Sequence, residues 1–278
     1  MGFYFCSISS GSSGNCYMIR SEKTVILVDA GISGKRTREG LLQAGTDPEE
    51  VDALLITHEH SDHVKSLRIL RKQIPQIVSY SNFETWDAVK DIVGDERHVT
   101  FDSGDRFTIG DIEVKSFATH HDSAGAVSYS FFHSGKQISI LTDTGYVCDR
   151  IFNEIKDSDL IALEANHDVN VLQMGRYPYY VKRRILGDGG HLSNEAAADC
   201  IVRMIREEDE EQQKKRTVLL AHLSKENNSP EMAMLTVKNR LAEEGISAAD
   251  IRAGGPLADG GIEMGVITRD SVSPVFEV

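Results

Sequence analysis

Short apolar runs rich in β-branched and aromatic residues, each bounded by Gly, Ser, Asp or Asn, recur through the first half of the chain. They predict strands over Phe3–Ile8, Asn15–Arg20, Thr24–Val28, Ala53–Ile56 and Gln76–Ser79. Further strands are expected over Asp111–Phe117, Val127–His133 and Gln137–Leu141, with Ser134-Gly135 as a tight hairpin turn between the last two. Helices are expected over Lys35–Ala44, His63–Gln73, Phe83–Val93, Asp149–Ile155, Asn194–Glu210 and Glu231–Glu243. Ser193 stands where a helix start is wanted, ahead of Ala196-Ala197-Ala198. Glu207–Arg216 is an acidic-then-basic run and reads as a solvated helix end. The Gly254–Gly261 stretch reads as a loop before a last hairpin. No internal repeat and no linker rich in Pro or Gly interrupts the pattern, so one domain over 1–278 is the expectation.

Directly after the apolar run Val51–Ile56 comes Thr57-His58-Glu59-His60-Ser61-Asp62-His63, with four potential metal ligands in six residues. Two imidazoles two residues apart at a strand end can face one ion. Asp62 and His63, at the start of a helical pattern, can face a second ion beside it. Imidazole and carboxylate together suit zinc, manganese or iron. Two ions need more ligands, and the remaining candidates each follow a predicted strand. His120-His121-Asp122 follows Val114–Phe117, Asp143 follows Ile138–Leu141, and His222 follows Val218–Leu220. Strand ends on one rim can hold convergent ligands rigidly. Asp143 could bridge two cations with its two oxygens. Asp29 ends the run Val25–Val28, and its expected role is to orient a ligand imidazole or the ligand loop. A turn-forming Asp is the alternative there.

The 278 residues, 40% hydrophobic and 26% charged, match an ordinary soluble globular protein. The net charge of −13 argues against indiscriminate binding to nucleic acid or anionic membrane, though not against a local basic groove. Bound divalent ions would offset part of that charge at one place. Cys6, Cys16, Cys148 and Cys200 form no Cys-x-x-Cys, so free thiols in a reducing cytosol are expected. The opening residues lack the basic segment of a signal peptide, and no apolar stretch approaches the ~20 residues of a spanning helix. The expectation is a cytoplasmic protein without a membrane partner.

Asp29, His58-x-His60-x-Asp62-His63, His121, Asp143 and His222, in this order, resemble the five motifs of the metallo-β-lactamase superfamily. The resemblance runs from about Phe3 to His222. It implies a four-layer αββα sandwich, an α/β (α+β) fold, with two divalent ions, zinc or manganese, on one sheet rim. It would place His58, His60, His121 and Asp143 on one ion, and Asp62, His63, Asp143 and His222 on the other. His121 is preferred to His120 because the family motif reads His-Asp before a Gly/Ser-Tyr strand, here His121-Asp122 and Ser128-Tyr129. Adjacent strand residues point to opposite faces, so only one should ligate.

Leu163-Glu164-Ala165-Asn166-His167-Asp168 and Gly190-His191-Leu192-Ser193-Asn194 resemble elements of ribonuclease Z-type enzymes. That resemblance makes His191 a general acid, with Glu164 orienting and charge-stabilising it, and counts Asp62 with them as catalytic. A sugar alkoxide leaves poorly, and a positioned acid is worth ~10²–10⁴ in rate. The alternative makes Glu164 a strand-end carboxylate and His191 a loop histidine in a helix cap. The marks Ser10-Gly11-Ser12-Ser13-Gly14-Asn15-Cys16 and His222-Leu223-Ser224-Lys225-Glu226-Asn227-Asn228 resemble the WalJ/YycJ/VicX-type branch over nearly the full length. They imply a cytoplasmic, exonuclease-like phosphodiesterase acting on DNA, with 5′-to-3′ polarity. Asn166 departs from the Thr of ribonuclease Z, which weakens a transfer-RNA role. The short Asp143–His222 interval leaves no room for a β-CASP domain.

For substrate binding, Ser10, Ser12, Ser13 and Asn15 could form an anion cradle of hydroxyls and main-chain N–H groups. A flexible hairpin is the alternative. Lys225 and Asn227 are further candidates. Arg176–Arg184 is basic and aromatic: Arg176 and Arg183 could track a backbone while tyrosines stack on bases. The alternative packs those tyrosines onto the fold. His98, His133 and His167 read as structural or surface residues. Two other functions stay open. One is a hydrolase of small esters, lactones or cyclic phosphodiesters on the same metal site. The other is a non-catalytic nucleic-acid-binding or regulatory protein, against which the complete ligand set argues.

Overall fold

Alternation along single strands decides the layers of the computed structural model, which describes residues 2–93, 97–208, 214–251 and 261–278. In β2 (Cys16–Arg20), Tyr17 and Ile19 face one core while Cys16 and Met18 face another. In β12 (Arg216–Ala221), Leu219 joins the first core and Val218 and Leu220 a third. Successive strand side chains point to opposite faces, so strands covered on both sides read as unbroken apolar runs. The described strands make a seven-stranded and an eight-stranded sheet. Tyr17, Ile19, Val28 and Leu55 of the first pack between the sheets against Val114, Tyr129, Phe131 and Ile140 of the second.

Helices cover the outer faces. Leu41 of α1 (Gly34–Gln43), Leu67 and Leu70 of α3 (Leu67–Gln73) and Val89 of α4 (Phe83–Val93) pack on the first sheet. Phe152 of α5 (Asp149–Ile155), Ile201 of α8 (Asn194–Arg206) and Val237 of α9 (Pro230–Glu243) pack on the second. This is the expected αββα arrangement. No described helix is long and apolar enough to cross a membrane.

The topology brings strand ends together. β3 (Val25–Val28) and β4 (Ala53–Leu55) run parallel, so Asp29 and Thr57 emerge side by side. In the other sheet β10 (Lys136–Leu141), β11 (Leu160–Glu164) and β12 are mutually parallel. β8 (Ile112–Ala118) has the same sense, because β9 (Val127–His133) is antiparallel to both β8 and β10. His121, Asp143, Glu164 and His222 therefore gather on one rim. The rims of the two sheets are joined there by Val127 N donating to Thr57 O at 3.1 Å.

Several expectations need correction. The helix expected over His63–Gln73 is two pieces, α2 (Ser61–Val64) and α3. Ser66 stands at the break, and its hydroxyl donates to the carbonyls of Ala30 and Ile32. The strand expected at Gln76–Ser79 is β5, Val78–Asn82. Arg216 does not belong to a solvated helix end. It opens β12, is buried, and donates to Lys156 O and Ser158 O at 2.7 Å each. Helix α8 ends at Arg206; Asp209 and Glu210 lie outside the described residues, as does Gly254–Gly261 apart from Gly261. No last hairpin follows: β14 (Ile262–Val266) lies parallel to β12, and β15 (Phe276–Glu277) pairs with β1 (Tyr4–Ser9) in the other sheet.

Candidate metal centre

Thr57 is the hinge on which the ligand loop hangs. Its N–H donates to Asp29 Oδ1 at 2.9 Å, and its hydroxyl lies within 3.0 Å of both Asp29 oxygens. The same carboxylate accepts from His63 Nδ1 at 2.7 Å. That bond turns His63 Nε2 toward Asp62 Oδ2 at 3.4 Å and Asp143 Oδ2 at 3.3 Å. Asp29, at the end of β3, is thus bonded to the His63 imidazole. Gly31 is required beside it, since an added Cβ would lie 1.6 Å from Asp62 O. His60 occupies the N-cap of α2 without a side-chain capping bond, so its ring is free for other partners.

In each of four overlapping groups the candidate ligand atoms lie within 4.8 Å of one another: His58, His60 and His121; His58, His63 and Asp143; Asp62, His63 and His222; and Asp143, Glu164, His191 and His222. The sequence-predicted ligands are therefore brought together. His58 Nε2, His222 Nε2 and Asp143 Oδ2 are buried and have no hydrogen-bond partner. Buried polar atoms are normally satisfied, and orphaned imidazole and carboxylate atoms aimed at one another fit bound divalent cations. His58 turns its other nitrogen to Thr57 Oγ1 at 3.0 Å, and His121 turns Nδ1 to Gly190 O at 3.1 Å. The outer bond leaves His58 Nε2 without a partner and turns His121 Nε2 toward His60 Nδ1, 3.2 Å away. His120 belongs to none of the four groups, and its ring stacks on Tyr146.

Burial and three neighbouring imidazoles push the His58 pKa well below its ordinary value. Burial acts the same way on His63 and His222, but there the carboxylates win. Asp29 and Asp143 hold His63 well above its usual range. Asp143, Asp62 and Glu164 push His222 up to about 10. Burial opposes the charge of Asp62, yet bonds from His222 and His63 hold its carboxyl far below the ordinary range.

Glu164, at the end of β11, is fully buried and saturated. Its Oε1 lies 2.8 Å from Nδ1 of both His191 and His222, and its Oε2 accepts from Thr144 N at 3.0 Å and Leu192 N at 3.2 Å. Burial works against its charge, and the His191 and His222 imidazoles hold its pKa below the carboxylate range. The Glu164–His191 pair matches the sequence expectation. The bond to His222 does not follow from the motif.

Asp29, Asp143 and His222 adopt φ of 64°, 57° and 54°. Left-handed backbone costs about 1–3 kcal/mol per residue and gathers at functional sites. Asp and His tolerate it better than bulkier side chains, which is the only trace it leaves in the sequence.

Substrate candidates divide. Ser10 and Asn15 are buried braces for the ligand loops instead of an open cradle. Ser10 Oγ accepts from His222 N at 2.8 Å and pairs with Tyr17 Oη at 2.9 Å. Asn15 Oδ1 accepts from Gly11 N at 2.9 Å, leaving Nδ2 3.1 Å from His63 Nε2. Asn227 is likewise buried and donates from its N–H to Ser224 Oγ at 3.2 Å. Ser12, Ser13, Lys225, Arg176 and Arg183 are exposed. Tyr179 and Tyr180, in α7 (Tyr179–Ile185), are 76% and 74% exposed, so they do not pack onto the fold. Arg184, from the same helix, makes a two-pronged ion pair with Asp122, beside His121. His98 stacks on Trp86, and His133 bonds Asp111 O, which are structural roles. His167 is buried with neither ring nitrogen bonded.

The chain matches the model of the Beta-lactamase superfamily domain over residues 24–222. It is 40% identical to exodeoxyribonuclease YycJ of Bacillus anthracis over 90% of this chain and 93% of that one. It is 39% identical to exodeoxyribonuclease WalJ of Streptococcus pneumoniae over 87% and 90%. Among solved structures, the metallo-β-lactamase fold protein YhfI of Bacillus subtilis superposes over the full length of both chains, with a TM-score of 0.69 at 15% identity. The short form of human tRNase Z superposes over 80% of this chain and 93% of that one, with a TM-score of 0.56 at 18% identity. With the ligand cluster on its sheet rim and these relatives along its length, the chain belongs to the metallo-β-lactamase superfamily, in the branch of YycJ and WalJ.

Proposed function

We propose that this protein is a dinuclear metal-dependent phosphodiesterase that degrades DNA from an end, in the 5′-to-3′ direction. The observation that carries this is the 39–40% identity, over about nine-tenths of each chain, to two proteins named exodeoxyribonucleases. His58, His60, His121 and Asp143 would hold one ion, and Asp62, His63, Asp143 and His222 the other; zinc and manganese both suit these ligands. When bound, such ions activate water, polarise a phosphoryl oxygen and offset the charge gained at phosphorus. His191 supplies what they do not. With Nδ1 on Glu164, its Nε2 can deliver a proton to the departing sugar oxygen, and the buried carboxylate fixes the orientation of the ring.

Exposed Lys225 lines a cleft of about 270 Å³ with Ser10, Ser224, Thr268 and Arg269, and Ser10 Oγ also accepts from His222 N. With Arg176, Arg183, Ser12 and Ser13 it supports tracking of a phosphate backbone, while Tyr179 and Tyr180 offer stacking faces. The free cysteines fit a reducing cytoplasm. The test is turnover by metal-loaded protein on a DNA strand, the matching RNA strand, and a panel of small esters and lactones. DNA should be cut fastest. Hydrolysis of a small ester or lactone with no cleavage of either polymer would overturn the reading.

A further inference from the structure

The loops after β8 and β10 carry two rings that the metal cluster does not use. His120 and Tyr146 stack face to face, with centroids 4.1 Å apart and planes 13° from parallel. Backbone bonds hold them there. Gly145 N donates to His120 O at 2.9 Å, His120 N donates to Thr144 Oγ1 at 3.4 Å, and Thr144 Oγ1 donates to Tyr146 O at 2.9 Å. Thr144 N is itself bound by Glu164 Oε2 at 3.0 Å. The stack is therefore tied to the carboxylate that holds His191.

Glycine is needed at position 145, because an added Cβ would lie 2.2 Å from Asp188 O and 2.6 Å from Gly187 O. That close approach sets Tyr146 beside the segment leading into His191. Tyr146 remains 40% exposed. It also forms one wall of a cavity of about 240 Å³, with Val147, Leu192, Ala196 and Cys200 among the others. Leu192, which follows His191 in the chain, lines this cavity, and Thr144, two residues before Tyr146, is bound by the Glu164 that also holds His191.

We propose that Tyr146, backed by His120, is a shelf on which the nucleobase next to the scissile phosphate stacks. The inference rests on the reading of the site as a DNA phosphodiesterase. A planar, apolar space with an aromatic wall takes any unpaired base, since every base offers a π-face. The His120 ring fixes the tyrosine before the base arrives, which lowers the ordering cost of binding. Most of the lining is apolar, and its two charged residues are Asp199 and Arg203, the latter lying over the Phe152 ring.

The test compares wild type, Tyr146→Phe, Tyr146→Leu and Tyr146→Ala on single-stranded DNA. A second set of strands carries one abasic nucleotide, moved position by position along the end being degraded. Metal content and thermal midpoint serve as folding controls. Wild type and Tyr146→Phe should lose roughly 5- to 150-fold in kcat/KM when the abasic site reaches the shelf. Tyr146→Leu and Tyr146→Ala should lose a similar factor on intact DNA and no longer distinguish the abasic strands. Wild type that cuts intact and abasic strands equally at every position overturns the shelf, as does full activity in Tyr146→Ala. Wild type that cuts no DNA overturns the phosphodiesterase reading instead, so the two failures are distinct.

Discussion

Glu164 Oε1 lies 2.8 Å from Nδ1 of His222, the same distance at which it meets His191. One buried carboxylate therefore holds both imidazoles, the proposed metal ligand and the proposed general acid. Glu164→Gln should weaken both functions: metal affinity by about 10- to 100-fold, and turnover of the loaded protein by ~10²–10⁴. Metal analysis after dialysis against a graded chelator, with kcat at saturating metal, checks this. Loss of activity with metal affinity unchanged would show that His222 does not depend on the bond.

His191→Ala should keep both ions, because Glu164 still holds His222. Turnover should then depend on the leaving group. An alkyl phosphodiester should lose ~10²–10⁴, whereas bis(p-nitrophenyl) phosphate, whose phenolate leaves without a proton, should lose much less. An equal loss on both removes the acid role.

Asp122 and Arg184 tie α7 to the His121 loop, and Asp122 N donates to Gly189 O at 3.0 Å, two residues before His191. Both side chains are partly exposed, so breaking the pair should change stability by no more than about 1 kcal/mol. A small displacement of His191 costs far more in rate, roughly 10- to 100-fold. Arg184→Ala should therefore lower kcat/KM while the thermal midpoint stays nearly fixed. Adding Asp122→Ala should lower it little further, since the two act as a unit. Additive losses would separate them.

Protonation links the metal to stability. In metal-free protein, His222 has its pKa raised from 6.5 to about 10, and His63 is raised in the same sense. A raised folded pKa stabilises fully below the unfolded value and loses that contribution as pH climbs through the folded value. Metal-free protein should thus lose stability from these groups between about pH 6.5 and 10. Metal must displace the protons, so loading at pH 7 should release them. Calorimetric titration in buffers of different ionisation enthalpy measures the release; none would mean that the two imidazoles are already neutral.

The candidate ligand set is legible because each candidate follows an apolar run, and a parallel sheet gathers such strand ends on one rim. The sandwich is legible where strands are buried on both faces, as in Val25–Val28 and Ala53–Leu55. Strands β6 (His98–Phe101) and β7 (Arg106–Ile109) are not, because they lie at sheet edges and expose half or more of their residues to some degree. The break at Ser66 depends on carbonyls at positions 30 and 32, far away in sequence. Ser10, Asn15 and Asn227 look like surface binders in sequence, since small polar side chains in a Gly/Ser loop give no sign of burial. Only the fold shows that they brace His222, His63 and Ser224. The Glu164–His222 bond is hidden for the same reason: β11 and β12 must first pair before position 164 sits opposite position 221.

The most direct measurement follows 5′- and 3′-labelled DNA strands in the presence of metal-stripped protein, before and after Mn²⁺ or Zn²⁺ is restored, beside Asp143→Ala. Asp143 belongs to two of the overlapping candidate ligand groups, so on the proposed assignment its loss should empty or distort both ion positions. The proposed function requires stepwise shortening from the 5′ end that appears only with metal and vanishes in the variant. Intact strands under every condition, from a protein that has bound its two ions, would contradict it.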